Sequence, residues 1–287
     1  MVWYQGTVPP EPGSSFPPEA YSKERVIDIH SHILPGVDDG AETIEQAVEM
    51  VRMAAENGTT DIVATPHANT EFPFDPETVE RKASELAAAC GGALRIHTGC
   101  DFHLTVDNIQ DALSNPGKYT INRGRYLLVE LSDRLVPTTT DEVFRRMLAA
   151  GIIPVVTHPE RNRRLHRRLD RVEKWVAEGS CVQITGDSLS GRFGKTARAV
   201  ATELMERGLV HFVASDAHGT RDRKPVLKAA FEQVAEAYGE DYARLLFCDN
   251  PKAAIEAAPV LAAKAEPAPG RKWYQFWRRP ARQAKTS

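Results

Sequence analysis

Cysteine is scarce. Four stand in 287 residues, at Cys90, Cys100, Cys181 and Cys248. No two form a CxxC pair, which argues against a disulfide framework or a zinc knuckle and leaves reduced, partly buried thiols. Nor does any cysteine have an arginine six positions downstream, where Ile96, Val106, Asp187 and Ala254 stand instead. A thiolate nucleophile that wraps phosphate in such a loop is therefore excluded. No apolar run approaches the ~20 residues that span a bilayer. The N-terminus lacks the basic region and apolar stretch of a signal peptide. The net charge of −3 is too small to make a nucleic acid or a membrane the main partner. No segment recurs at the period of roughly 20–50 residues that marks a solenoid.

What is present suits a globular α/β enzyme. Hydrophobic residues make up 42% and charged residues 26% of the chain, enough for a sizeable core. Residues 1–22 (VPPEPGSSFPPEA within them) read as a flexible extension, 23–258 as one compact domain, and 259–287 as a linker and basic aromatic tail. Seven β-rich runs alternate with helical patterns: 26–29, 62–65, 94–98, 126–131, 152–157, 181–185 and 211–215. They are too apolar for one exposed face, which predicts a parallel sheet covered by helices, as a barrel or a doubly wound sheet. Ile44, Ala47, Val48, Val51 and Ala55 recur at helical spacing before Gly58. Asp75 before Pro76 marks another helix start. Thr139 and Glu142 have the spacing of a capping box.

Nine residues that bind metals well fall at the downstream ends of these runs: His30, His32, Asp39, His67, Asp101, Glu130, His158, Asp216 and His218. Six of the seven strands deliver one, the layout expected of a multinuclear metal site at one end of a barrel. Alternation along a strand puts His30 and His32 on one face. Asp39 has a second reading as a helix N-cap. Glu130, inside LLVELS, reads as a buried carboxylate that needs a partner or a cation. His103 reads as facing solvent.

The motifs DIHSHILPGVDDG, ATPH, LLVELS, PVVTHPERN and FVASDAHG resemble the PHP superfamily, and within it the bacterial capsule-synthesis protein tyrosine phosphatases, over about residues 26–257. The resemblance implies a distorted (β/α)7 barrel in a single domain, holding three divalent cations, manganese when active, with iron or zinc as alternatives. It implies that His30, His32, Asp101 and Asp216 hold a first cation, and that Asp101, Glu130 and His158 hold a second. Asp39, His67 and His218 would hold a third. Arg161 and Arg223 would grip phosphate oxygens, and Asp39 or a bound water would assist the leaving group. It further implies attack of a metal-bridging hydroxide on phosphotyrosine, with a bacterial tyrosine autokinase of exopolysaccharide synthesis as substrate, in the cytoplasm or at the inner face of the membrane. Asp101 departs from the family's usual glutamate and is a methylene shorter, which predicts a backbone shift or an intervening water.

Other readings stay open at this stage. A different PHP phosphoesterase, such as a histidinol phosphatase, or a metal-bound regulator that acts on the kinase by binding alone, would share these motifs. An amidohydrolase would want a bridging lysine where Glu130 stands. The run Gly191–Thr196 lacks the glycine of a phosphate loop at Leu189 and reads as a loop entering a helix, with Arg192 and Phe193 near the substrate mouth. The arginines from Arg161 to Arg171 read as a solvated helix face that attracts anions rather than as a nucleic-acid site. The tail, with Trp273, Tyr274, Phe276 and Trp277 among basic residues, suits either an anionic membrane surface or disorder. Oligomeric state is not fixed by the sequence.

Overall fold

The computed structural model describes residues 25–266. The proline-rich extension and the basic aromatic tail lie outside the described residues. Nine strands are present among those described: β1 (Val26–Ser31), β2 (Thr59–Ala64), β3 (His67–Ala68), β4 (Arg95–Thr98), β5 (Asp101–His103), β6 (Tyr126–Glu130), β7 (Ile153–Thr157), β8 (Cys181–Thr185) and β9 (Phe212–Ala214). The helices are α1 (Ile44–Glu56), α2 (Pro76–Ala89), α3 (Val106–Ser114), α4 (Thr140–Ala149), α5 (Leu169–Ala177), α6 (Gly186–Ser190), α7 (Gly194–Glu206), α8 (Lys228–Tyr238), α9 (Glu240–Arg244) and α10 (Asn250–Ile255).

All strand pairs are parallel. They form a three-stranded sheet, β1-β2-β4, and a six-stranded sheet, β3-β5-β6-β7-β8-β9. The seven expected strands became nine because two break. Pro66 lacks an amide hydrogen and interrupts the second run, and Gly99-Cys100 interrupts the third. Backbone hydrogen bonds continue across both breaks, from Thr65 N to Ser31 O at 2.8 Å and from Asp101 N to Pro66 O at 3.0 Å. The outer strands of the two sheets also meet. Asp216 N donates to His30 O at 2.9 Å and His32 N donates to Ala217 O at 2.8 Å, just beyond β9.

Strand periodicity explains where the apolar core stops and the polar site starts. Ile27, Ile29, Val63, Tyr126, Leu128, Val155, Cys181, Phe212 and Ala214 pack in one cluster drawn from both sheets. Two residues beyond Leu128 lies Glu130, and two beyond Ala214 lies Asp216; alternation sends them to the same face. β1 needs a correction to that rule. Ile27 and Ile29 share the inner cluster, yet His30 and His32 supply the imidazoles. The β1–β2 ladder slips register between Asp28 and Ser31, the kind of irregularity that re-aims side chains. The other strand faces meet the helices, with Val129, Val156 and Val182 against Phe144 and Trp175, and Ile62 against Met50, Val51 and Leu86.

The helix reading holds at α1, where Gly58 follows at φ +90°, and at α2, where Asp75 accepts from Thr78 N at 3.1 Å. The capping box does not form. Thr139 is already helical at φ −63° and ψ −17° and its side chain makes no cap bond, because the turn begins earlier, at Pro137. Glu142 pairs with Arg145 instead. The arginine run is not a helix face either. Most of it lies in turns before α5, and Arg171 is buried.

Arg171 joins two helices through a carboxylate. Asp141 on α4 accepts from Arg171 Nε at 2.8 Å, from the Trp175 indole at 2.9 Å and from Lys174 at 2.8 Å. Removing it leaves a largely buried guanidinium without its counter-charge, held only by the carbonyls of Val136 and Pro137, and strands a buried indole N–H. Asp141→Ala is expected to lose about 2–3 kcal/mol of unfolding free energy, measured by urea titration of the metal-free protein. A loss below about 1 kcal/mol, typical of an exposed pair, would contradict this account.

Candidate metal centre

The structure brings all nine candidate ligands to the downstream end of the strands. Four overlapping groups have mutually close ligand atoms: His32, Asp39, His67 and His218; His67, Asp101, His103 and Glu130; His30, His32 and Asp101; and His30, His158 and Asp216. Asp39 is not a helix cap, a role taken by Thr43. Its carboxylate lies 3.3 Å from His67 Nε2 and 3.4 Å from His218 Nε2. Glu130 is not fully buried as expected; its side chain keeps 24% exposure and sits at the wall of the site. His158 Nε2 stands 3.8 Å from Glu130 Oε1 and 4.0 Å from Asp216 Oδ2.

The deepest part is the most constrained. His30 Nδ1 faces the Gln183 side-chain oxygen at 2.9 Å, and His32 Nδ1 faces Asp38 Oδ2 at 2.6 Å. Each oxygen accepts, so each ring donates from Nδ1 and keeps its lone pair on Nε2. The two Nε2 atoms then confront each other at 3.3 Å. Asp216 Oδ1 is 3.4 and 3.5 Å from them, and Asp101 Oδ2 is 3.8 Å from His30 Nε2. Neither Asp101 oxygen accepts a well-oriented hydrogen bond, nor does Asp216 Oδ1, although all three atoms are buried. Converging lone pairs and unsatisfied buried carboxylate oxygens are costly without a positive charge between them. The residues fit a divalent cation, with histidine and carboxylate donors and outer partners that set the ring orientation.

Electrostatics describe the same demand. Burial holds His30 well below its usual range. Burial would also depress His32 and His67, but the adjacent carboxylates of Asp216 and Asp38 raise His32 to about 9. Those of Asp101 and Asp39 raise His67 to about 11. In the absence of a cation these rings take up protons in its place. Burial and the charge of Glu130 push Asp101 up to about 7, even though His67 pulls it down. Glu130 is held low against its own burial by His103 and His158. Hydrogen bonds from His218 and His67 hold Asp39 far below the carboxylate range, so it is ionised at neutral pH.

Both predicted phosphate-binding arginines reach the site. Arg161 and Arg223 each pair with Asp216 Oδ2. Arg161 also lies over the Phe193 ring, 4.3 Å from its centroid, which places Phe193 at the site as the sequence suggested. His158, Asp216 and Arg223 have φ of +33°, +51° and +48°, a region that non-glycine residues rarely occupy and that clusters at functional sites.

Sequence reasoning missed several contributors. His103 does not simply face solvent: its Nε2 is 2.9 Å from Glu130 Oε2 and 3.3 Å from His67 Nδ1. The signal was available, since His103 is two residues beyond Asp101 and shares its face. Asp38 orients His32 and also accepts from the backbone N–H of His67 at 3.0 Å. Gln183 comes from β8, the strand credited with no ligand. Asp28 accepts from Ser215 N at 3.0 Å and Ser215 Oγ at 2.5 Å, and burial raises its carboxyl to about 6. The four cysteines are buried and form no disulfide, and burial pushes the Cys90 and Cys100 thiols up and Cys181 up to about 12, which makes these three inert as nucleophiles.

A family model for capsular polysaccharide synthesis, CpsB/CapC, matches residues 26–256. The tyrosine-protein phosphatase YwqE of Bacillus subtilis is 32% identical over 256 residues, which cover 88% of this chain and 100% of that one. The tyrosine-protein phosphatase CpsB of Streptococcus pneumoniae is 32% identical over 241 residues, 80% of this chain and 98% of that one. A crystal structure from work on YwqE and CpsB, described as unique metal-dependent tyrosine phosphatases, matches with a TM-score of 0.77 at 31% identity, covering 84% of this chain and 99% of that one. A lactonase from Listeria monocytogenes, with a TM-score of 0.52 at 12% identity, shares the fold alone.

Gly40 fixes the loop that carries Asp38 and Asp39. A Cβ built there would fall 2.1 Å from His32 O and 2.5 Å from His32 Cβ. Gly40→Ala must therefore push this loop off His32, at a cost of about 1–3 kcal/mol. We expect the variant to fold but to bind a divalent cation at least about tenfold more weakly in calorimetric titration. Unaltered affinity would show that the loop does not set the ligand geometry.

Proposed function

The chain belongs to the capsular polysaccharide synthesis CpsB/CapC family, and from that premise we propose that it is a metal-dependent phosphotyrosine-protein phosphatase. The observation that carries this reading is the confrontation of His30 Nε2 and His32 Nε2 with the unsatisfied oxygens of Asp101 and Asp216, flanked by two arginines. The two sheets are read as one distorted (β/α)7 barrel, supported by the hydrogen bonds that join β1 to the segment after β9.

The ligand sets are proposed as His30, His32, Asp101 and Asp216 for one cation, Asp101, Glu130 and His158 for a second, and Asp39, His67 and His218 for a third. Mixed nitrogen and carboxylate donors suit manganese, the metal we propose, and also iron or zinc. When bound, such cations supply a water acidic enough to act as nucleophile near neutral pH. Arg161 and Arg223 would turn part of their donor capacity from Asp216 to the phosphoryl oxygens, which their planar forks match. Phe193 holds the Arg161 guanidinium in plane at the mouth. Asp39 is ionised in this setting, which suits a ligand and not a proton donor. The tyrosine leaving group does not need one, since phenol has a pKa near ~10.

The substrate we propose is a phosphotyrosine segment of a bacterial tyrosine autokinase that serves exopolysaccharide assembly. A phosphotyrosine made with ATP would put the reaction in the cytoplasm, the compartment we propose for it. Among the described residues no helix is long and apolar enough to cross a membrane; a role for the tail at the membrane surface is left to residues beyond them.

Metal removal tests the reading directly. Chelator-treated protein should lose hydrolysis of a phosphotyrosine peptide and regain it with Mn²⁺, and should act far more slowly on histidinol phosphate. Full activity in excess chelator would sink it, and preference for histidinol phosphate would move it to another phosphoesterase. Arg161→Ala should lower kcat/KM by about 10²-fold while the metal content stays at the wild-type level. A wild-type rate would remove Arg161 from the phosphate-binding role.

A further inference from the structure

We propose that His103 is itself a metal ligand, completing a site with Asp101 and Glu130; the inference rests on the proposal that this centre holds divalent cations. β5 presents Asp101 and His103 on one face, and the β5–β6 ladder sets His103 directly opposite Glu130. His103 Nε2 lies 2.9 Å from Glu130 Oε2 and 3.3 Å from His67 Nδ1, and His67 Nδ1 lies 3.1 Å from Asp101 Oδ2. A cation with bonds of about 2.1 Å keeps its donor atoms about 3.0–3.4 Å apart. The 2.9 Å between His103 Nε2 and Glu130 Oε2 is close to that spacing, and the donor atoms of Asp101, His103 and Glu130 all lie within 4.8 Å of one another before any ion pulls the side chains in.

A second observation points to a ligand at the same place. The Asp101 carboxylate is completely buried, and apart from the nearby His67 Nδ1 neither oxygen has a hydrogen-bond partner. His67 cannot be the nitrogen donor here as well as at Asp39. Its Nε2 faces Asp39 at 3.3 Å, and a neutral imidazole has one lone pair. With Nε2 committed to the Asp39 group, Nδ1 carries the hydrogen and donates toward Asp101 Oδ2, acting as an outer-sphere support. That leaves Nε2 of His103 as the nitrogen beside Asp101 and Glu130.

The fold holds His103 in position from outside. Thr105 N donates to His103 O at 2.8 Å, and the Asn108 side chain donates to both His103 O and Ala68 O, at 3.2 and 2.8 Å. This ties β5 to β3 beside the site. The ring keeps 28% exposure, so a water can still reach a cation held there.

Metal content and affinity test the inference independently of catalysis. The full-length protein, His103→Ala and His103→Gln are loaded with Mn²⁺ or Co²⁺, and the ions per chain, the dissociation constants and the Co²⁺ visible spectrum are measured. Glutamine can still donate to Glu130, so it separates a ligand from a residue that merely orients that carboxylate. Both variants should hold about one ion fewer, or bind one ion at least about tenfold more weakly, with a changed Co²⁺ spectrum. Wild-type stoichiometry and affinity in either variant would overturn the assignment while leaving the metal centre intact. A wild-type protein that binds no divalent cation would overturn both.

Discussion

Two outer hydrogen bonds govern the rest of this structure. Gln183 and Asp38 each take the Nδ1 hydrogen of a buried histidine, and that fixes which nitrogen keeps a lone pair. Without them His30 and His32 could satisfy each other, one ring donating to the other across 3.3 Å. With them, two lone pairs and the free oxygen of Asp216 point into one small volume. Removing the need for a cation would then require protons, and the raised pKa values of His32 and His67 record that substitution.

The arrangement also explains the two arginines. Asp216 carries its charge fully buried, with one oxygen turned to the imidazoles and the other shared by Arg161 and Arg223. A single carboxylate thus joins the cation cradle to the anion grip. Substrate phosphate brought between them would meet positive charge on both sides, and low local dielectric would strengthen both contacts. The stacking of Arg161 on Phe193 limits how far that guanidinium can wander when its bond to Asp216 weakens.

Much of this was legible in the sequence. Strand ends and histidine-carboxylate motifs are local signals, set by period-two alternation and turn chemistry, and they located all nine candidate ligands. Strand count was less legible, because Pro66 and Gly99 split two strands without opening the ladder. The outer partners distant in the chain were not legible at all. Gln183 is 153 residues from His30, and Ser215 is 187 from Asp28; nothing local marks a glutamine in CVQIT as the orienting partner of a histidine. His103 was misjudged for a different reason. Its spacing from Asp101 was visible, but its neighbour Glu130 comes from the next strand, and only the register of β5 on β6 brings them together.

Those unread carboxylates bear on why the site keeps its shape. His158 and Asp216 sit in a backbone region that costs about 1–3 kcal/mol each, and each has a buried clamp at its side. Next to Asp216, Ser215 binds Asp28 through both its amide and its hydroxyl. Two residues beyond His158, Glu160 accepts from Thr185 N at 2.9 Å and Ser188 Oγ at 2.7 Å, with burial raising its carboxyl to about 7. A buried acid is expensive wherever it sits, and here both sit beside strained residues. The hydrogen bonds they accept tie the β7 and β9 ends to neighbouring strands, so relaxing either strained residue would mean breaking bonds that have no water to replace them. The geometry at His158 and Asp216 is thereby set by the fold before any metal or substrate arrives.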